Sequence, residues 1–339
     1  MTYPTVMRTL RPVSAFIIIV LAVSIVQVSG QVTHTPIFDG ESAFGFLTGQ
    51  CDFGPRPPGS ENLTLCRTYI SETLESFNWT VSIQNFTYME TPCANIIATW
   101  NGTTDSPIIL GAHYDTRPNA TSDYPANRSL PILGANDGAS GTAVLMELAR
   151  ILPTSERSKV ELVFFDAEDS GQINGWDWIR GAVHYVSELT TIRKNSIEAM
   201  VLADLVGDAE LYLPKEGSST DSLQNVIWSI AADLGYSSTF VNTAGSSVTD
   251  DHRPFLDAGI PAVDIIQVPF PSYWHTLEDT PDKCSGDSLE KVGRVLEVFV
   301  VEYDAENGGF SPDLPYVLYA ALIILALVIL IVAYQRMKR

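Results

Sequence analysis

Positive charge is what this sequence has least of. Lys and Arg number 20 against 40 Asp and Glu, which leaves a formal net charge of −20. A surface of that sign repels a polyphosphate backbone, and nucleic acid is excluded as a partner. Cysteine is scarce as well. The four are Cys51, Cys66, Cys93 and Cys284, and no Cys-x-x-Cys occurs, so a thiolate zinc knuckle is excluded. Outside the cell an even count permits two disulfides, with Cys66–Cys93 the first expected pair. Charged residues make up 18% against 45% hydrophobic ones. That balance excludes a disordered chain and fits a packed core with membrane segments. No internal repeat is visible.

Part of the hydrophobicity sits at the two ends. Arg8 and Arg11 precede an apolar run from Val13 to Val28, and Ser29 and Gly30 follow it. Residues 1–30 read as a secretory signal, or as an anchor that is retained. Leu314 to Tyr334 carries no charge and is long enough to cross a bilayer as one helix. The tail at 335–339 holds Arg336, Lys338 and Arg339, and such basic flanks stay in the cytoplasm. The expected layout is a cell-membrane protein with a single C-terminal transmembrane helix (314–334), a linker (304–313) and an extracytoplasmic domain (31–303). Asn62, Asn78, Asn85, Asn101, Asn119 and Asn127 each open an Asn-x-Ser/Thr sequon, a density that fits an exported, glycosylated surface.

Between the ends, residues 31–60 read as an irregular arm rich in Gly and Pro, and Ser60 caps a helix to about Phe77. Strands are expected at 94–100, 108–112, 160–165, 200–203 and 262–266. Helices are expected at 138–152, 178–189, 222–234 and 288–303. Alternation of this kind points to an α/β architecture around a largely buried sheet.

Ligand-type side chains recur just past the expected strands. Ile108-Ile-Leu-Gly-Ala leads into His113-Tyr-Asp115, Val160–Phe165 into Asp166-Ala-Glu168-Asp169, and Met200-Val-Leu-Ala into Asp204. Asp137 opens a helix, and His275 follows the last strand. In open α/β sheets, sites gather at the carboxyl ends of strands. A lone His-x-Asp, or an Asp before Gly, is more often a structural feature or a cap; five such positions in order point to a metal site. Imidazole and carboxylate ligands suit zinc. Asp169 can ligate it while its neighbour Glu168 stays free to move a proton. Asp115, two residues from His113, is placed to orient that ring.

These residues also carry a family resemblance. Gly111-Ala-His-Tyr-Asp-Thr-Arg-Pro118, Gly134-Ala-Asn-Asp-Gly-Ala-Ser-Gly141, Phe164-Phe-Asp-Ala-Glu-Asp169, Asp250-Asp-His-Arg-Pro-Phe255 and Tyr273-Trp-His-Thr276 resemble the M28 family of zinc aminopeptidases and glutaminyl cyclases. The resemblance spans about residues 37–303. It implies a phosphorylase/hydrolase-like fold, a three-layer α/β sandwich with a mixed central sheet. It implies Asp137, Asp169 and His275 as zinc ligands, His113 and Asp204 as the residues that complete a second metal site, and Glu168 as the acid/base. One zinc ion or two are compatible with it. Phe270 and Trp274 resemble the aromatic wall that cyclases place beside the last ligand, and Asp250 a cyclase residue that hydrogen-bonds with the acid at the Asp204 position. The glutaminyl-peptide cyclotransferase branch is therefore the favoured reading, with peptide or protein N-termini as substrate. Two departures keep the aminopeptidase reading open. His113 and Asp204 are both kept, and Glu278-Asp-Thr-Pro-Asp-Lys283 after the last ligand is aminopeptidase-like. A catalytically inactive binding ectodomain is the third reading, and the full ligand set argues against it.

Overall fold

The molecule, a computed structural model, is described here over residues 32–103, 105–304 and 309–310. The apolar runs at 13–28 and 314–334 lie outside those residues. Among the described residues no helix is long and apolar enough to cross a membrane.

The described residues open with helix α1 (Gly40–Cys51), where a Gly-rich arm was expected to be irregular. Its helicity is imposed from outside. The Asp39 carboxylate caps the first turn by accepting from the Glu41 and Ser42 amides, and Ala43 and Leu47 are fully buried. Helix α2 (Glu61–Ser76) starts where the sequence indicates, with Ser60 Oγ accepting the Leu63 amide. Strand β1 (Thr80–Tyr88) has no counterpart in the sequence reading. It pairs antiparallel with β2 (Thr91–Thr99), and then come β3 (Ile108–His113), α3 (Ala139–Ile151), β4 (Val160–Phe165), α4 (Arg180–Glu188), α5 (Thr191–Ser196) and β5 (Ala199–Asp204). The chain continues through β6 (Leu213–Lys215), α6 (Asp221–Asp233), β7 (Phe240–Ala244), α7 (Arg253–Asp257), β8 (Ala262–Ile266) and α8 (Gly286–Glu302), and closes with the pair β9 (Tyr303–Asp304) and β10 (Gly309–Phe310).

The central sheet is six-stranded and mixed, in the order β1-β2-β4-β3-β5-β8. β4, β3, β5 and β8 run parallel, and β2 and β1 are antiparallel additions. Both faces of the parallel strands are covered, which is why they read as unbroken apolar runs. Ile108, Leu110, Leu162, Phe164, Val201 and Ala203 pack toward α1, α3 and α8. Their neighbours Ile109, Val163, Phe165, Met200 and Leu202 pack toward α4 and α7. Each fully buried Leu, Ile, Val or Phe contributes roughly 1.5–3 kcal/mol relative to an exposed one. Helix α3 lies so close to β5 that a Cβ on Gly141 would stand 1.9 Å from the Ala203 carbonyl oxygen.

All four cysteines are buried free thiols, so the expected Cys66–Cys93 disulfide is not formed. Cys66 packs in the helical core beneath α2, while the Cys93 thiol turns to the Thr91 carbonyl at 3.6 Å.

Gly141→Ala should destabilise the domain by about 1–3 kcal/mol through overpacking. Urea unfolding measures it; an unchanged midpoint would show that α3 can move away from β5.

Candidate active site

The four parallel strands end at one edge, and each delivers a polar turn there. β3 ends on His113. The turn after β4 holds Glu168 and Asp169, β5 ends on Asp204, and the loop after β8 returns His275. Ala167, Leu205 and His275 take positive φ angles of 59°, 49° and 57°. Such backbone strain, roughly 1–3 kcal/mol per residue, persists only where surrounding contacts over-determine it.

Those contacts are carboxylates acting on backbone. Asp115 accepts the Glu168 amide at 3.0 Å and the Asp169 amide at 3.3 Å, and its Oδ1 lies 3.6 Å from His113 Nδ1. It therefore ties the turn after β3 to the turn after β4 while it faces the ring the sequence assigns to it. Asp279 does the same for Asp137, accepting the Asn136 amide at 2.8 Å and the Asp137 amide at 3.0 Å. Gly138, at φ 104°, lets the chain turn into α3 there. Thr142 Oγ1 donates to the His113 carbonyl at 2.8 Å and fixes α3 against β3.

The result is two triads that share one residue. His113, Asp137 and Asp204 form the first, and Asp137, Asp169 and His275 the second; within each, one ligand atom per residue lies within 4.8 Å of the others. Asp137 offers one oxygen to each side, Oδ1 at 3.3 Å from His113 Nε2 and Oδ2 at 3.4 Å from His275 Nε2. Asp204 Oδ1 is 3.1 Å from His113 Nε2, and Asp169 Oδ1 is 3.1 Å from His275 Nε2. Asp137 Oδ2 and Asp169 Oδ2 are buried without a hydrogen-bond partner. Orphaned carboxylate oxygens beside a neutral imidazole fit a bound cation of the zinc class.

A cavity of about 250 Å³ opens beside the second triad. Its wall is a stack of rings. Phe270 lies on Trp274 at 4.3 Å, Trp274 on His275 at 3.5 Å, and Trp178 parallels His275 at 6.1 Å. The Arg117 guanidinium stacks 4.7 Å over Trp178 and pairs with Asp169 Oδ1 at 3.0 Å. Glu168, Asp204 and Asp250 also line the cavity. The Asp250 carboxyl meets that of Asp264 on β8. The sequence did not single out Trp178, Asp279 or Asp264. The helix expected to begin at Trp178 starts at Arg180, which frees the indole for the wall.

Burial dominates the electrostatics. It pushes the Glu168 carboxyl well above its usual range, and the negative charges of Asp169, Asp250 and Asp251 add to the effect against His113. Asp169 is raised to about 7 by burial, with Arg117 opposing, and Asp250 to about 7 by burial and Asp204. Burial holds His275 neutral, with a pKa drawn down to about 3. At His113 burial is outweighed by Asp204, Asp115 and Asp137, and the ring is held well above its usual pKa.

The sequence profile of peptidase family M28 matches residues 95–300. The chain is similar to the glutaminyl-peptide cyclotransferase of Bos taurus, 26% identical over 288 residues, covering 73% of this chain and 78% of the relative. Its fold is similar to that of a glutaminyl cyclase from Bacteroides thetaiotaomicron, with a TM-score of 0.74 at 31% identity, covering 80% of this chain and all of the other. It is equally similar to a leucine aminopeptidase precursor from the same organism, at TM-score 0.74 and 31% identity over 80% of this chain and 99% of the other.

Two outcomes follow from the geometry. Asp137→Ala should abolish retention of divalent metal at both triads, whereas His113→Ala should spare the triad around His275. Elemental analysis of the purified variants checks this, and equal metal loss in both would refute it. The second concerns pH. Asp169 and Asp250 hold protons when folded that they release when unfolded, so the folded state binds more protons between about pH 4 and pH 7. Stability of chelator-treated protein should therefore fall as pH rises through that window and level off above it. A melting temperature that rises instead would contradict the assignment.

Proposed function

We propose, for a chain that belongs to peptidase family M28, that it converts an N-terminal Gln residue of peptides to pyroglutamate with release of ammonia. The chain is an M28 enzyme, and its site fits a glutaminyl cyclase or an aminopeptidase. The observation that carries the cyclase reading is the cavity, small and walled by Phe270, Trp274 and Trp178, beside the Asp137–Asp169–His275 triad, in a chain similar to glutaminyl cyclases over most of its length. A space of about 250 Å³ suits one terminal side chain curled back toward its own amine.

In this reading Asp137, Asp169 and His275 would hold a zinc ion, and His113 and Asp204, with Asp137, would hold a second. When bound, zinc supplies Lewis acidity at a carbonyl oxygen. The chain's own residues do the rest. The ring wall positions the Gln side chain and excludes water. The substrate α-nitrogen forms a bond to the γ-carbonyl carbon, and the bond from that carbon to the amide nitrogen breaks. Glu168 takes the proton that the α-nitrogen sheds and delivers it to the departing nitrogen, which leaves as ammonia. Burial suits Glu168 to the task by raising its affinity for a proton. Asp250 lines the same pocket and keeps a second carboxyl close to Glu168.

The aminopeptidase reading is favoured by one observation, that both triads are intact and share Asp137. There Glu168 would take its proton from water, and the first peptide bond would break.

Location belongs to the proposal too. The apolar run at 314–334 with its basic flank supports a C-terminal anchor and an extracytoplasmic catalytic unit.

Incubation with a peptide that begins Gln-Ala should yield a product lighter by one ammonia and no free Gln by mass spectrometry. Release of free Gln would replace cyclase by aminopeptidase. Glu168→Gln should keep metal and fold but lower the rate by about 10²–10⁴, and it should lose the limb of the pH profile along which the rate rises as Glu168 ionises. Loss of metal in that variant would exchange the roles of Glu168 and Asp169. Protease applied to intact cells should remove the catalytic unit; full protection would reverse the orientation.

A further inference from the structure

The six sequons do not share one environment. Asn62 Nδ2 donates to the Pro55 carbonyl, Asn119 Nδ2 to the Arg128 carbonyl, and Asn127 Nδ2 to Asp123 Oδ1, each at 3.0 Å. All three side chains are half-buried. Asn78, Asn85 and Asn101 are exposed, and their amides make no side-chain hydrogen bond among the described residues.

The exposed three lie on or beside one hairpin, Asn78 and Asn101 at one end of it and Asn85 toward the other. Asn85 lies on β1, the outermost strand, and Asn78 stands two residues before that strand begins. Thr80 pairs with Thr99, so Asn101, two residues past the end of β2, falls at the same end of the hairpin as Asn78. Because β2 runs antiparallel to β4, that end is opposite the edge where the strands deliver His113 and Asp204. Asn119 and Asn127 lie instead in the segment whose Ser122 amide donates to the His275 carbonyl.

β1 has a reason to be covered. It is nine residues long, is paired on one side only, and leaves Ile83 40% exposed, with Met89 just past it 51% exposed. An unpaired edge of that length is a template for a second strand unless something bulky or charged blocks it. Among residues 80–88 the sequence Thr-Val-Ser-Ile-Gln-Asn-Phe-Thr-Tyr carries no charge.

We propose that Asn78, Asn85 and Asn101 are N-glycosylation sites whose glycans shield the β1 edge, and that Asn62, Asn119 and Asn127 stay unmodified. The inference rests on the extracytoplasmic reading above. The donor is an oligosaccharide on a lipid pyrophosphate. The bond from its anomeric carbon to the pyrophosphate breaks, a new bond joins that carbon to Asn Nδ2, and Nδ2 gives up one proton. An exposed, unengaged amide accepts this without loss of structure, whereas a glycan on Asn119 or Asn127 would displace the hydrogen bonds those amides give to Arg128 and Asp123.

The test expresses the full chain behind a supplied secretion leader in a glycosylating host, so that its outcome does not depend on what residues 1–30 do. Enzymatic release of glycans in heavy-oxygen water marks each occupied Asn as a labelled Asp, which peptide mass spectrometry reads. High occupancy at 78, 85 and 101 with little at 62, 119 and 127 is expected. No glycan at the first three, or comparable glycan at the second three, overturns the assignment. The triple variant N78Q/N85Q/N101Q should keep the activity of the parent, which shows it folded, and should self-associate in light scattering at concentrations where the parent is monodisperse. An active variant as monodisperse as the parent overturns the shielding role.

Discussion

Carboxylates crowded together in a place that water does not reach set the terms for this molecule. Asp115, Asp137, Glu168, Asp169, Asp204, Asp250 and Asp251 are all buried at or near one edge of the sheet, and among the described residues Arg117 is the guanidinium that forms an ion pair with one of them. Taking an uncompensated charge out of water costs several kcal/mol per ion after relaxation. Nothing in the hydrophobic layers offsets that locally. The arrangement becomes reasonable once the carboxylates are sorted by partner. Asp115 and Asp279 accept backbone amides from neighbouring turns and serve as braces. Asp137, Asp169 and Asp204 face imidazoles and each other, a donor set that is complete only around a cation. Glu168 and Asp250 belong to neither set, and burial raises the proton affinity of both. One repulsive problem thus has three local solutions, and each solution is a different role.

The same logic says why the site was legible in the sequence and parts of the fold were not. His113, Glu168, Asp169 and Asp204 stand directly after strands whose apolar runs are unmistakable, so their convergence follows from the parallel sheet alone. Trp178 and Asp279 reach the site through loop packing across long stretches of chain, and no local pattern announces that. Helix α1 has glycines at 40, 45 and 49 and little amphipathicity; it exists because Ala43 and Leu47 fit against α3 and α8. β1 escaped because a half-exposed edge strand with Ser, Gln and Asn in it lacks the strict alternation of a buried one. The cysteine pair was misjudged for a related reason. An even count outside the cell allows a bond, but Cys66 lies in the helical core and Cys93 on β2 is bonded elsewhere.

The ring stack has a consequence of a different kind. Trp274 and Trp178 both lie nearly parallel to His275, at 3.5 and 6.1 Å, and His275 is a member of the second triad. An indole excited beside an imidazole loses emission to an extent set by the charge on that imidazole and by whatever it ligates. The protein therefore carries an intrinsic optical reporter at its catalytic centre. Occupancy of the site, and the arrival of a substrate side chain between Trp178 and Phe270, are written into the tryptophan emission without any added label.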